Sequence, residues 1–172
     1  MSSSSNRNFT LGLLRDSGVA LQMKYWQERF AALASTRVLA DSDGQPDVQS
    51  SGDPAEMSVD FAANDAAANE CFTQVERGNA VACLAMLRLG FDPNIRRARW
   101  GDTVLHIAAT RNARDVARVL IESGKCDYLL RDRQGNLAST NAYLYGRNPA
   151  LARFLSIKER IQAKQQDVEI IR

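Results

Sequence analysis

Apolar residues recur at helical spacing along most of the chain. One stripe near the N-terminus has intervals of four and three residues and predicts an amphipathic helix: Val19, Met23, Trp26, Phe30 and Leu33. Further on, helix-period apolar runs alternate with glycines that recur every 34 residues, such as Gly101 and Gly135. A fixed period of this length indicates stacked units, each made of a helix, a turn, a second helix and a projecting loop. The pattern therefore predicts an all-α solenoid of about three helix-turn-helix repeats.

Shifts in composition divide the chain into five segments. We expect a disordered, Ser-rich N-terminus over 1–15, the amphipathic helix over 16–40 and an acidic flexible linker over 41–60. The repeat domain then covers 61–165 and a C-terminal tail covers 166–172. Asn148 and Pro149 suit the first positions of a final helix, which we expect to cap the stack. The N-terminal helix either caps the other end or binds a partner.

One segment has the pattern of a known repeat family. Gly101-Asp-Thr-Val-Leu-His-Ile-Ala-Ala109 resembles the ankyrin signature Gly-x-Thr-Pro-Leu-His-x-Ala-Ala, with Val104 in place of proline. The resemblance covers about residues 66–160 and is weaker in the first and third units. It implies that Thr103 and His106 tie the turn before the inner helix of the second unit. It also implies that Ala108 and Ala109 allow the helices to pack closely.

Ankyrin repeats bind proteins through loop tips and the exposed side of their inner helices, which together form a concave face. Transferred to this sequence, the resemblance implies the following partner-binding residues: Glu76, Arg77, Arg99, Trp100, Asp102, Thr110, Arg111, Arg133, Gln134, Asn136, Leu144 and Tyr145. Trp100, at a loop tip beside arginines, has the composition of an interface anchor. The alternative is that it packs on its own loop or on the N-terminal helix.

The charge distribution indicates what such a partner looks like. Residues 1–60 hold 5 Lys and Arg against 8 Asp and Glu, whereas residues 61–172 hold 17 against 12. An arginine-rich rim favours a protein with an acidic patch. The small size and the richness in Ala and Arg suggest a bacterial source. The ankyrin resemblance then implies an immunity or antitoxin-like protein, since bacterial ankyrin proteins of this size include such proteins. The alternative is a secreted effector that engages a host protein.

Catalytic and metal sites find little support in the sequence. The three cysteines are an odd number without a CxxC pair, and His106 is the chain's one histidine. A catalytic role for His106 would need Cys83 or Cys126 as nucleophile and Asp102 or Asp115 as orienting group. The ankyrin resemblance instead gives His106 a structural role. We therefore expect no enzymatic activity, no cofactor and no metal.

Nucleic acid is the rival ligand class, because arginines cluster near two successive loop tips: Arg96, Arg97, Arg99, Arg131 and Arg133. Aspartates interleave with them, and no nucleic-acid-binding motif accompanies them, so a mixed-charge surface is the favoured interpretation. No apolar run approaches the roughly 20 residues of a membrane-spanning helix. We expect a cytoplasmic protein, with export by a specialised secretion system left open by the polar N-terminus.

Overall fold

The computed structural model describes residues 17–35 and 65–169. The regular secondary structure of this part of the chain is all α-helical, and the helices are, in order, α1 (Ser17–Ser35), α2 (Asp65–Glu76), α3 (Ala80–Arg88), α4 (Val104–Thr110), α5 (Arg114–Glu122), α6 (Ala138–Leu144) and α7 (Pro149–Gln166). The predicted N-terminal segment 1–15 and the predicted linker 41–60 lie outside the described residues. The same holds for residues 36–40 of the predicted helix and 170–172 of the predicted tail.

Helices α2 to α7 form three pairs that stack in chain order. Within each pair the first helix packs on the second, and the first helices of successive pairs, α2, α4 and α6, contact one another in an inner row. The outer helices α3 and α5 also pack together. One apolar core runs through the stack, with residues such as Met86, Leu105, Leu120 and Leu155 fully or almost fully buried. The predicted all-α solenoid is confirmed.

Local hydrogen bonds explain where the outer helices α3 and α7 begin. The Asn79 side chain accepts a hydrogen bond from the backbone N–H of Ala82 at 3.1 Å and so caps α3. Asn148 accepts one from Leu151 at 3.0 Å, and Pro149 occupies the start of α7. These bonds satisfy backbone donors that the first turn of a helix leaves unpaired. Asn148 is therefore the N-cap that the sequence predicts.

Helix α1 packs across the first pair, against α2 and α3. Met23 and Phe30 from its apolar stripe are buried, and Trp26 lies between them with its ring centroid 5.8 Å from that of Phe30. At the edge of this contact, Arg29 Nε lies 3.2 Å from Glu70 Oε1. The stripe read from the sequence is thus the surface with which α1 covers the N-terminal end of the stack.

The inner helices do not all end in the same way. Gly78 and Asn112 follow α2 and α4 in the left-handed conformation, with φ of 74° and 54°. After α6 the left-handed residue is Arg147, with φ of 48°, one position later than the 34-residue period places it. Gly146 has a different function, because a Cβ atom there would overlap the carbonyl oxygen of Ala109 in the preceding unit. This glycine is needed for close approach between units.

We expect Gly146→Ala to lower the free energy of unfolding by about 2–3 kcal/mol, since the added methyl group meets rigid backbone. Gly124→Ala is the control: Gly124 has φ of 68°, but no atom lies within 4 Å of a Cβ added there. That change should cost only about 1 kcal/mol, from the left-handed conformation alone. Urea unfolding of both variants measures the difference, and equal losses would contradict the close-approach explanation.

Candidate protein-binding surface

The structure distributes the predicted binding residues over the loop tips and the ends of the inner helices. Eight are exposed: Arg77, Arg99, Trp100, Arg111, Arg133, Gln134, Leu144 and Tyr145. The other four are half-buried: Glu76, Asp102, Thr110 and Asn136. Hydrogen bonds, ion pairs and a cation–π contact link most of them in three groups.

Trp100 lies at the tip of the loop between the first and second units, and 51% of it is exposed. The guanidinium carbon of Arg99 lies 5.0 Å from the centroid of its ring, a cation–π distance. The loop of the next unit holds this tip in place. The backbone N–H of Arg133 donates to the Trp100 carbonyl at 3.1 Å, and Arg133 Nη1 donates to the Arg99 carbonyl at 2.8 Å. Trp100 is therefore an exposed side chain on a supported backbone.

Gly101 allows the two loops to meet. It has φ of 64°, and a Cβ atom there would lie 3.0 Å from Arg133 Cγ and 3.3 Å from the Arg133 backbone nitrogen. A larger residue would have to push away the loop between the second and third units, here called the third loop. It would also have to adopt a conformation that side chains disfavour. The signature glycine thus brings Trp100 and Arg133, which are one repeat apart, into contact.

Arg97 organises the other side of the same loop. Its Nε and Nη2 donate to the two carboxylate oxygens of Asp102 at 3.0 and 2.8 Å, and its Nη1 donates to Glu76 at 2.6 Å. A two-pronged arginine–carboxylate pair fixes orientation as well as distance. Two of the predicted contact residues, Glu76 and Asp102, are therefore engaged by a residue of their own chain. Arg97 thus connects the first unit to the loop that precedes the second unit.

The third loop is closed by Asp132. Its Oδ1 accepts hydrogen bonds from the backbone N–H groups of Gln134 and Asn136, both at 2.9 Å. Gln134 Oε1 in turn accepts from the hydroxyl of Tyr145 at 3.0 Å. Tyr145 follows α6, so this contact connects the loop tip to the end of the inner helix. Gln134 and Tyr145 form one continuous exposed patch.

His106 is buried between the second and third units. Its Nδ1 accepts from the backbone N–H of Thr103 at 3.3 Å and lies 2.9 Å from the Thr103 hydroxyl. Its Nε2 lies 3.3 Å from the carbonyl oxygen of Asn136, to which the N–H tautomer at that position donates. Burial lowers the pKa of the imidazole, against smaller raising effects of Asp132 and other neighbours. Ala108 and Ala109 are buried beside it.

The candidate nucleophiles are equally inaccessible. Cys83 and Cys126 are buried, and burial raises the pKa of both thiols, that of Cys126 to about 12. Such thiols stay protonated at neutral pH and are poor nucleophiles. Within residues 17–35 and 65–169, no cluster of His, Cys, Asp and Glu is placed to hold a metal ion. No helix in these ranges has the length and apolarity to cross a membrane.

Four predicted residues lie outside the three groups: Arg77, Thr110, Arg111 and Leu144. Arg77 and Arg111 directly follow α2 and α4. The hydroxyl of Thr110 donates to the His106 carbonyl at 2.9 Å, inside α4, and Leu144 lies on the far side of α6. The role of Arg97, which ties the loop to Glu76 and Asp102, was not predicted from the sequence. The signal for it is the pairing of Arg97 with Asp102 across the turn made by Trp100 and Gly101.

Stacked helix pairs with projecting loops define a helical-repeat solenoid. The ankyrin-repeat family model matches residues 100–133, which begin at Trp100 and end at Arg133. This segment is therefore an ankyrin repeat, and the stacked helix pairs around it agree with that match; ankyrin repeats are in general non-catalytic protein-binding modules. No curated protein and no solved structure gives a significant match to the chain.

The buried imidazole makes stability dependent on pH. In the unfolded chain His106 takes up a proton near its ordinary pKa of about 6.5, whereas the folded protein keeps it neutral to lower pH. The free energy of unfolding should therefore fall as the pH drops from 7.5 to 5.5, by at most about 1.4 kcal/mol per pH unit. Urea unfolding across this range measures the slope.

His106→Asn is the matched variant, because it removes the chain's one histidine and leaves every carboxylate in place. The variant should be less stable at pH 7.5 by about 2 kcal/mol and should lose most of the slope. An unchanged slope, or a wild-type protein that gains stability on acidification, would show that the imidazole is not held neutral.

Proposed function

We propose that the chain binds one protein partner through the exposed residues around Trp100 and that it acts without catalysis. The observation that carries this proposal is the half-exposed tryptophan on a loop tip that the next repeat holds in place. Large aromatic side chains beside arginine are the commonest energetic centres of protein interfaces. A rigid loop adds to affinity because little conformational freedom is lost on binding.

The charges around Trp100 indicate an acidic partner surface. Arg99 and Arg133 are exposed and contact the same loop tip, and Arg77 and Arg111 are exposed at the ends of the neighbouring inner helices. The nearby carboxylates of Glu76 and Asp102 are already paired with Arg97. The arginines therefore dominate the potential that an approaching protein meets, and association should be faster at low salt.

The same contacts favour a protein over nucleic acid. Three of the five clustered arginines have guanidinium groups that donate within the protein: Arg97 to carboxylates, Arg131 to the Gly135 carbonyl and Arg133 to the Arg99 carbonyl. Phosphate binding would have to compete with these bonds. An exposed tryptophan beside Arg99, on a loop held by Arg133, is better suited to a pocket on a folded protein.

We further propose that binding inhibits the partner, as an immunity or antitoxin-like protein does in the cytoplasm of a bacterial cell. A small, rigid, non-catalytic module with one anchored contact can act by covering a functional surface of its target. The alternative is a secreted effector that uses the same surface on a host protein. Both roles require the surface around Trp100, and they differ in the source of the partner.

Trp100→Ala tests the surface. We expect it to weaken binding by about 2 kcal/mol or more, which is roughly a thirtyfold rise in Kd. Its unfolding free energy should stay within about 1 kcal/mol of wild type, because the side chain fills no core position. Tyr25→Ala, at an aromatic residue of similar exposure on α1, is the control and should bind normally. Isothermal titration against the partner captured by the tagged chain gives the Kd of each variant. Urea unfolding gives its free energy of unfolding.

A loss of folding in Trp100→Ala would count against the exposed-anchor assignment, and normal affinity would place the partner elsewhere. The inhibitory role has its own measurement. If the captured partner is a toxin of the same cell, wild-type chain should restore growth on co-expression and Trp100→Ala should not. Capture of a host protein instead, together with delivery of the chain into host cells, would favour the effector.

A further inference from the structure

The C-terminal end of the stack carries a groove between α6 and α7. Its volume is about 750 Å³. Leu137 and Ala152 form a buried apolar floor, and Tyr143, Leu144 and Ile157 are 65%, 54% and 50% exposed along its sides. The side chains on α7 that line it extend from Pro149 to Arg160, a length of roughly 16 Å at 1.5 Å per residue. The groove can therefore accommodate about three turns of a helix.

The repeat period shows what kind of surface this is. Ser139, Thr140 and Tyr143 line the groove, and they lie 34 residues after Leu105, His106 and Ala109. Those three residues of α4 are buried under the third unit. The groove thus lies on the surface of the third unit that corresponds to the surface by which the second unit packs against the third. It differs from its buried counterpart in having the polar Ser139 where α4 has Leu105, and the exposed Tyr143 where α4 has Ala109.

The walls of the groove are fixed to each other. The carboxylate of Glu159, which is 1% exposed, accepts hydrogen bonds from the backbone N–H of Ser139 at 3.2 Å and from its hydroxyl at 2.8 Å. Further along α7, Gln162 accepts from the Tyr128 backbone N–H and donates to Asp127, both at 2.8 Å. A groove with such buried polar ties keeps its shape without a ligand.

The charges at the rim have one sign. Arg131, Arg153 and Arg160 line the groove, and its lining residues include no carboxylate. Arg153 and Arg160 are seven residues apart, so they lie on the same face of α7, two turns apart. Arg131 stands across from them, where its Nη1 is held by the Gly135 carbonyl at 2.7 Å. A helix with carboxylates two turns apart matches this spacing.

The N-terminal end of the same stack shows how a helix binds to such a surface. There α1 buries Met23 and Phe30 against the first pair, and an Arg29–Glu70 ion pair flanks the apolar contact. The C-terminal groove offers an apolar floor and the cationic half of such flanking pairs. We propose that it binds an amphipathic helix of another protein, with an apolar stripe bordered by Asp and Glu. The groove shares Asn136 and Leu144 with the predicted binding residues but is centred on α7.

A displayed library of amphipathic helical peptides, with the flanking positions randomised among Asp, Glu, Lys, Ser and Ala, tests this proposal on the full chain. We expect the selected peptides to carry acidic flanks with a four- and seven-residue spacing. Fluorescence anisotropy should show their Kd rising about tenfold or more in Arg153→Glu/Arg160→Glu and in Ile157→Asp. Both variants change exposed side chains, so circular dichroism and thermal unfolding should remain close to wild type.

Trp100→Ala is the internal control and should bind the peptides as wild type does. If it loses them while the α7 variants keep them, the peptides occupy the surface around Trp100 and the groove proposal is overturned, whereas the proposed function stands. Selection of basic or neutral flanks also overturns it.

Sedimentation velocity tests whether a second copy of the chain occupies the groove: a dimer that Ile157→Asp dissociates would assign the groove to self-association. Peptide binding that appears only after Asp41, Asp43, Asp47 and Asp53 are changed to Asn would assign it to the chain's own acidic segment.

Discussion

Each helix pair in this protein has to bury its apolar surface on its neighbours, because a single pair encloses no core of its own. Leu105 and Ala109 on α4 are buried by the third unit. In the third unit, Gly146 packs against the Ala109 carbonyl, where a side chain would not fit. His106 strengthens the same junction, since one ring nitrogen serves its own turn and the other reaches the Asn136 carbonyl. At this junction, backbone contact at Gly146 and the His106 imidazole together fix the distance between the second and third units.

This dependence on neighbours continues into the loops. Trp100 belongs to the second repeat, but its carbonyl is bound by Arg133 of the third, and Arg97 of the same loop is bound to Glu76 of the first. The exposed surface around Trp100 is thus assembled from three units. In a protein whose loops were held only by local turns, an exposed tryptophan beside arginines would lose more conformational freedom on binding a partner.

Much of this architecture could be predicted from the sequence. The 34-residue period, the signature from Gly101 to Ala109 and the Asn148-Pro149 start gave the helix pairs, the buried His106 and the last helix. The stripe of α1 was predicted too, but whether it faces the stack depends on contacts between distant residues. The ion pairs of Arg97 and the groove beside α7 were not predicted, because a residue list contains no distances. From the sequence alone Ile157 cannot be told from the buried apolar residues of α7, whereas in the structure it is half exposed beside the groove.

The bond between Arg133 and the Trp100 backbone has a consequence for how this surface can change. Because the two residues are one repeat apart yet share a contact, a substitution at either one alters the position of the other. Their effects on affinity should be coupled, as expected for residues in direct contact. Redirecting the protein to a new partner would therefore require libraries that vary both loops together. Gly101, which lets them touch, would have to stay fixed.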